Sequence, residues 1–320
     1  MICQTTIFRR DLITIKKYSA TQKSGFRLFL LAVPLLALVF VFSYLPLYGW
    51  SYAFFDYHAG MKLKDSVFVG LKFFTSIAEN PVMRGEITRV LTNTFGINFI
   101  GILTSPLPII FALFLMEIKS SKFRRLVQTL TTLPNFVSWV LVYSIAWAML
   151  SVEDGFVNRL LIAANLIDTP VNFLTSSKHV WLTMTGYGIW KGLGWSAIMY
   201  IAAITAIDHE QYEAAYVDGA GRFQSMWHIT IPGLLPTYFV LLLLQIANFM
   251  NNGMEQYYLF SNPLNKNSIE VLDLYVYLKG LVGQNISYST AVGILKSVVS
   301  IVLLFSANGL SKLVRKESII

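Results

Sequence analysis

The 320-residue chain holds a single cysteine, Cys3, and only 13% charged residues. One cysteine excludes an internal disulfide and any multi-cysteine metal site. Four histidines (His58, His179, His209 and His228) are scattered, so the sequence shows no zinc-binding cluster. A water-soluble domain carries about 25% charged residues. With roughly half of that, this chain cannot cover a solvated surface of ordinary polarity. A soluble enzyme, a disordered chain and a nucleic-acid-binding domain are poor readings, despite a net charge of +8. There is no G-x-x-x-x-G-K-[ST] loop to cradle nucleotide phosphates. No carboxylate stands well inside an apolar run, as an ion-gradient-driven carrier would require, and no His/Glu or Ser/His set suggests an intramembrane enzyme. Glu153–Asp154 has neither nucleophile nor base beside it and reads as solvated loop.

What the chain has is apolar length. Hydrophobic residues make up 55%, and mean hydropathy is +0.58. A helix needs about 20 largely apolar residues to cross a bilayer core. The runs 28–55, 90–116, 126–152 and 229–254 contain no Lys, Arg, Asp or Glu, and two more are each interrupted by one lysine, Lys191 or Lys296. They predict six spans near 27–49, 93–116, 127–150, 181–205, 233–254 and 286–308. The runs are too long for the strands of a membrane barrel. Apolar residues 28–49 exceed the core of a cleaved secretion signal and read as a retained first span.

Flanking cations set the orientation. If the spans alternate, fourteen lysines and arginines fall on one side, and nine fall on the other in longer loops. The first set includes Arg9, Arg10, Lys16, Lys17, Lys23 and Arg27, then Lys119, Lys122, Arg124 and Arg125, and finally Lys312, Arg315 and Lys316. This places both termini in the cytoplasm.

Residues 206–232 depart from that charge pattern, with Asp208, Glu210, Glu213 and Asp218 against one cation, Arg222. The segment reads as two helical pieces. Asp208 suits the start of the first. Gly219 and Gly221 allow a reversal. The second piece sets Phe223, Met226, Trp227 and Thr230 at i, i+3, i+4, i+7, an apolar face expected to rest on the protein. Pro232 is expected to stop it.

Glu213-Ala214-Ala215-x-x-Asp218-Gly219-Ala220, followed by Met226, Ile229 and Pro232, resembles the EAA signature of ABC importer permeases. Met226 stands where the pattern more commonly has Phe. Trp190 to Trp195, Val69-Gly70-Leu71 and the stretch 271–280 are similar to sugar-importer permeases. The resemblance covers about residues 26–312. It implies an all-α, MetI-like ABC importer transmembrane domain of six spans over 27–312, with cytoplasmic tails at 1–26 and 313–320. It implies that 206–232 couples to a separate ATPase, with Glu213 in contact and Gly219 at the bend. ATP and Mg would be bound by that partner ATPase, with no cofactor, metal or catalytic residue in this chain. The implied partners are a homologous second permease, two ATP-binding subunits, an extracytoplasmic solute-binding protein and the lipid bilayer, with no nucleic acid. The implied location is the bacterial cytoplasmic membrane, and the implied substrate is an oligosaccharide or polysaccharide fragment. A non-sugar importer, or less readily an ion-gradient carrier, is the alternative.

Polar residues inside spans are pathway candidates. Lys191 and Trp190 in span 4, and Gln245, Asn248, Asn252, Tyr257 and Tyr258 at the end of span 5, form the candidate set. Gln245, Asn248 and Asn252 would share a helical stripe at i, i+3, i+7. Each has a competing reading: Lys191 as a snorkelling side chain or a structural partner, the polar side chains of span 5 as partners of a neighbouring helix, the aromatics as interface anchors. Gly188, Gly192 and Gly194 are expected to permit close helix approach. Val67, Phe68, Leu71, Phe73 and Phe74 are expected along the membrane surface, and 255–285 to form part of a docking face for the binding protein.

Overall fold

Proline and small polar residues decide where the apolar runs break. The computed structural model describes residue 25 and residues 28–315. The N-terminal tail with Cys3 and its six cations, and residues 316–320, lie outside the described residues. The first helix, α1 (Leu28–Phe54), is followed by a two-residue antiparallel pair, β1 (Phe55–Asp56) with β2 (Val67–Phe68), and by the short α2 (Lys72–Glu79). Val67, Phe68 and Leu71 are exposed, whereas Phe73 packs into the protein and Phe74 lies against Phe54 at 5.7 Å.

Helix α3 (Pro81–Leu103) starts well before the expected residue 93, because Asn80 caps it by accepting from the Val82 and Met83 N–H groups at 2.9 and 3.4 Å. After the break at 104–106 it continues as α4 (Leu107–Met116). Together they form a 36-residue helical unit. At 1.5 Å per residue that unit is ~54 Å long, so it projects beyond a ~30 Å core.

The expected third span is two helices, α5 (Ser121–Thr132) and α6 (Trp139–Leu150), at 105° to one another. Pro134 cannot donate a backbone hydrogen bond, and Ser138 caps α6 by accepting from the Leu141 N–H at 3.4 Å. The carbonyls freed at the corner are claimed by Lys191 (below).

After α7 (Phe156–Ala163), α8 (Val180–Thr205) leads at a 67° bend into α9 (His209–Val217). Then α10 (Arg222–Ser225) and a π turn over Met226–Thr230 run without interruption into α11 (Ile231–Ala247). Pro232 therefore does not stop the helix. The π turn has already shifted the ladder, with the Ile231 N–H bonded to the Met226 carbonyl five residues back. Short helices α12 (Glu255–Phe260), α13 (Lys266–Ile269) and α14 (Leu272–Tyr277) precede the long α15 (Ile286–Arg315).

Four of these units are long and apolar enough to cross a membrane, and six are if each bent pair counts as one span. The architecture is thus the expected multi-pass helical one, with one span broken at its middle. Three buried cores hold it. One joins Ile97, Met184, Tyr257, Phe260 and Ile269; a second joins Val90, Met250, Tyr275 and Tyr288; a third joins Ala112, Leu113, Ala197, Tyr200 and Leu234. Gly194 lets α8 meet the α5 backbone at Thr131, where a Cβ would collide with the carbonyl.

Candidate functional site

Between the first and third cores lies a cavity of about 570 Å³, lined from α3, α4, α8, α11 and α12. Its polar lining includes Asn98, Thr104, Ser105, Thr185, Ser196, Gln245, Asn251, Asn252 and Gln256, with Tyr200, Tyr238, Tyr257 and Trp195 as aromatic walls. None of the described residues that line it is charged. Gly188 and Gly192, expected at a helix contact, instead face this space, and a Cβ at either position would meet nothing within 4 Å.

One rim of the cavity is a fixed network. The α11 helix ends at Ala247, so the expected stripe of Gln245, Asn248 and Asn252 does not form. The chain turns there, with Gly253 at φ +69°. Asn252 and Gly253 both donate backbone N–H groups to Asp273 Oδ2, each at 2.9 Å. The other Asp273 oxygen is ion-paired with Lys296 of α15. Asn98 Nδ2 donates to Asn252 Oδ1 at 2.8 Å, and Asn252 Nδ2 faces the Tyr257 hydroxyl at 3.5 Å. Gln256 Nε2 donates to the Met184 carbonyl at 2.8 Å. Burial, with the Asn252 hydrogen bond opposing and the Asp273 charge adding to it, pushes the Tyr257 phenol above its ordinary value. Thr185 Oγ1 is buried without a hydrogen-bond partner among the described residues.

Of the seven pathway candidates, Gln245, Asn252 and Tyr257 line the cavity. Lys191 does not. Its ammonium donates to the carbonyls of Pro134, Asn135 and Val137 at 3.3, 2.7 and 2.8 Å, and lies 5.6 Å from the Trp139 ring. This lysine satisfies the backbone where α5 and α6 break, which a membrane interior demands. Trp190 is exposed away from the cavity. Asn248 turns back to the Leu244 carbonyl at 3.0 Å, and Tyr258 packs edge-on against Tyr277. Asn98, Ser105, Thr185 and Tyr238 join the site unannounced; for Asn98 and Ser105 the available signal was a polar residue within the charge-free run 90–116.

The second feature is the loop at 206–232. Asp208 caps α9, accepting from the Glu210 N–H at 3.0 Å. Its C-terminus is a complete Schellman turn. The Ala220 N–H bonds to the Ala215 carbonyl at 2.8 Å and the Gly219 N–H to the Tyr216 carbonyl at 3.1 Å. Gly219 sits at φ +80°, whereas Gly221 has an ordinary negative φ. The spacing of Ala215, Asp218, Gly219 and Ala220 is therefore itself a folding instruction. Within the loop the Tyr212 and Thr230 hydroxyls meet at 2.9 Å. Arg222, paired with Glu117 of the α4 end at 3.4 Å, and Ile207, packed over Gly233, tie the loop to the body. Met226 and Thr230 face inward as expected, but Phe223 and Trp227 do not, being 79% and 69% exposed. Tyr216 and Val217 stand out with them at 81% and 83%. Glu213 is exposed, 3.3 Å from His209. Ile229 and Pro232 lie in the π turn and at the start of α11.

The family described as "Binding-protein-dependent transport system inner membrane component" matches residues 104–316. Protein LplB of Bacillus subtilis (strain 168) is 40% identical over 303 residues, covering 94% of this chain and 93% of its own. The polygalacturonan/rhamnogalacturonan transport system permease protein YteP of the same organism is 38% identical, covering 91% and 89%. A solved bacterial ABC transporter involved in import of the acidic polysaccharide alginate matches with a TM-score of 0.81 at 30% identity, covering 93% of this chain and 99% of that one. A bacterial alginate ABC transporter solved in complex with an alginate pentasaccharide-bound periplasmic protein matches at 0.81 and 31%, covering 93% and 98%.

Proposed function

Since the chain belongs to the family of binding-protein-dependent transport system inner membrane components, we propose that it forms half of the translocation pathway of an ATP-driven importer for an oligosaccharide or polysaccharide fragment. The observation that carries this reading is the cavity. Its wall offers uncharged donors and acceptors with aromatic faces and no fixed charge. A sugar presents hydroxyls to the amides and C–H faces to the rings. The partnerless Thr185 hydroxyl supplies one further group for a hydroxyl or water to satisfy. The relative named for polygalacturonan/rhamnogalacturonan transport and the solved alginate importer support the same substrate class.

The loop at 206–232 is the coupling element. Its exposed Tyr216, Val217, Phe223 and Trp227 form an apolar surface for a separate ATPase, with Glu213 at its edge. Its tethers to α4 and α11, Arg222–Glu117 and Ile207 over Gly233, make it a lever rather than a free loop. Helices α4 and α11, which line the cavity, receive its motion. The coupling loop and the basic residues 119–125 share one end of the bundle through Arg222–Glu117, which supports a cytoplasmic position for both and for the termini. A homologous second permease, two ATPase copies and a solute-binding protein complete the assembly; α12 to α14, held by Arg89–Glu270 at 2.5 Å, form the outer face toward that protein.

Reconstitution tests the reading. The complete transporter in proteoliposomes is expected to accumulate the oligosaccharide held by its binding protein only when ATP is supplied on the loop side. ATP-independent uptake, or a binding protein loaded with an amino acid or ion complex, would refute it.

A further inference from the structure

Lys119, Lys122, Arg124 and Arg125 fall within seven residues around the start of α5. None has an ion-pair or hydrogen-bond partner for its side chain among the described residues. The carboxylate next in sequence, Glu117, is engaged by Arg222 at 3.4 Å. Lys122, Arg125, Leu126 and Thr129 recur at i, i+3, i+4, i+7 and so share one stripe of the helix. With Ser121 they line a depression of about 560 Å³. The stripe continues to Leu133, which is exposed like Leu126. The two ends of α5 lie in different surroundings. Near its start, the Glu117–Arg222 pair marks the end of the bundle that carries the coupling loop. Its last turn packs at Thr131 against Gly194, midway along the apolar α8.

A stripe that is cationic at the bundle end and apolar toward the bundle middle matches one kind of molecule, an anionic amphiphile. We propose that α5 holds an anionic phospholipid, its phosphate between Lys122 and Arg125 and an acyl chain along Leu126 and Leu133. Arginine presents a planar fork of donors to phosphate oxygens, and lysine adds a point charge. The Ser121 hydroxyl in the same depression is a further donor. Assignment to the inner leaflet rests on the orientation proposed above; the lipid site itself does not. The rival occupant is an acidic face of the ATPase.

The test is native mass spectrometry of the complete transporter, titrated in detergent with phosphatidylglycerol or phosphatidylcholine. The wild type is expected to retain phosphatidylglycerol in preference. Lys122→Gln/Arg125→Gln is expected to reduce that preference about tenfold, with the ATPase subunits still bound. Lys64→Gln, at an exposed site in the β1–β2 loop, should leave it unchanged. Equal retention of both lipids by the wild type, or an unchanged preference in the double variant, overturns the proposal. So does a double variant that sheds its ATPase subunits while keeping the lipid, which would make the patch a protein-docking surface. The readout needs no transported solute, so it stands or falls apart from the sugar reading.

Discussion

The Asn98 side-chain amide donates to Asn252 Oδ1 across 2.8 Å, although the residues are 154 positions apart. The bond joins the C-terminal part of α3 to the turn after α11, at the rim of the cavity. Asn252 is held there from three sides, through Asn98, Asp273 and Tyr257. Leucine at position 98 leaves Asn252 Oδ1 without its donor, and leucine at position 252 leaves the Asn98 amide with the Thr94 carbonyl alone, at 2.8 Å. Asn98→Leu and Asn252→Leu are each expected to destabilise the purified transporter by about 1–3 kcal/mol. A double-mutant cycle by thermal unfolding should give a coupling above about 0.5 kcal/mol. Strict additivity would mean the two amides act independently. Uptake should fall in both variants, since each also removes a hydrogen-bonding group from the cavity wall.

Gly219 lies at φ +80°, where an L side chain is strained by about 1–2 kcal/mol and a β-branched one most of all. Gly219→Val should therefore distort the turn that carries Tyr216 and Val217. ATP hydrolysis is expected to continue while sugar uptake per ATP drops about tenfold, the factor that 1.4 kcal/mol represents. Gly219→Asn, which tolerates this conformation, should be milder. Glu213→Lys should uncouple in the same direction without preventing insertion. Normal uptake per ATP in Gly219→Val would remove the turn from the coupling role.

The turn at 206–232 was legible because its signals are local. A capping Asp, a helix and a glycine at C′ appear in sequence order, and the structure realises each at the expected residue. The six apolar runs were legible for the same reason. Pro134 and Ser138 marked a weak point in the third locally, but what stabilises the break there could not be read, because its partner is distant: Lys191 lies over 50 residues from the carbonyls it satisfies. The same separation hid the cavity. Gln245 and Tyr257 could be picked as polar groups near a span end, but Asn98 and Thr185 come from helices whose juxtaposition no periodicity encodes. The stripe drawn through Asn248 failed because α11 ends at Ala247, where the chain turns toward the Asp273 carboxylate.

Lys191 serves the α5–α6 corner, and its replacement should read as a stability defect. Lys191→Met would strand the carbonyls of Asn135 and Val137, while that of Pro134 keeps the Val137 N–H at 3.2 Å. A loss of about 1–3 kcal/mol for each group left unsatisfied is the usual scale. Expression and thermal stability should drop, while the surviving protein keeps its relative rates among oligosaccharides. A stable variant with a changed sugar preference would place Lys191 in the pathway after all.

The Asp273–Lys296 pair makes a sharper prediction, because its two partners are not equivalent. Their side chains are only 19% and 16% exposed. Breaking a buried ion pair by removing one partner costs about 3–5 kcal/mol. In Lys296→Met the Asp273 carboxylate still accepts from the Asn252 and Gly253 N–H groups, so its charge remains partly compensated. In Asp273→Asn the Lys296 ammonium loses its counter-charge. Asp273→Asn should therefore be the more damaging single change. The double variant Asp273→Asn/Lys296→Met removes both charges and keeps an oxygen for the two N–H groups, so it should recover most of the stability. The charge swap Asp273→Lys/Lys296→Asp restores a pair but strands both N–H groups, and should recover little. Thermal unfolding of the four purified variants decides the matter. A charge swap as stable as the double neutral variant would show that the pair acts by charge alone, and that the turn carrying Asn252 is held by something else.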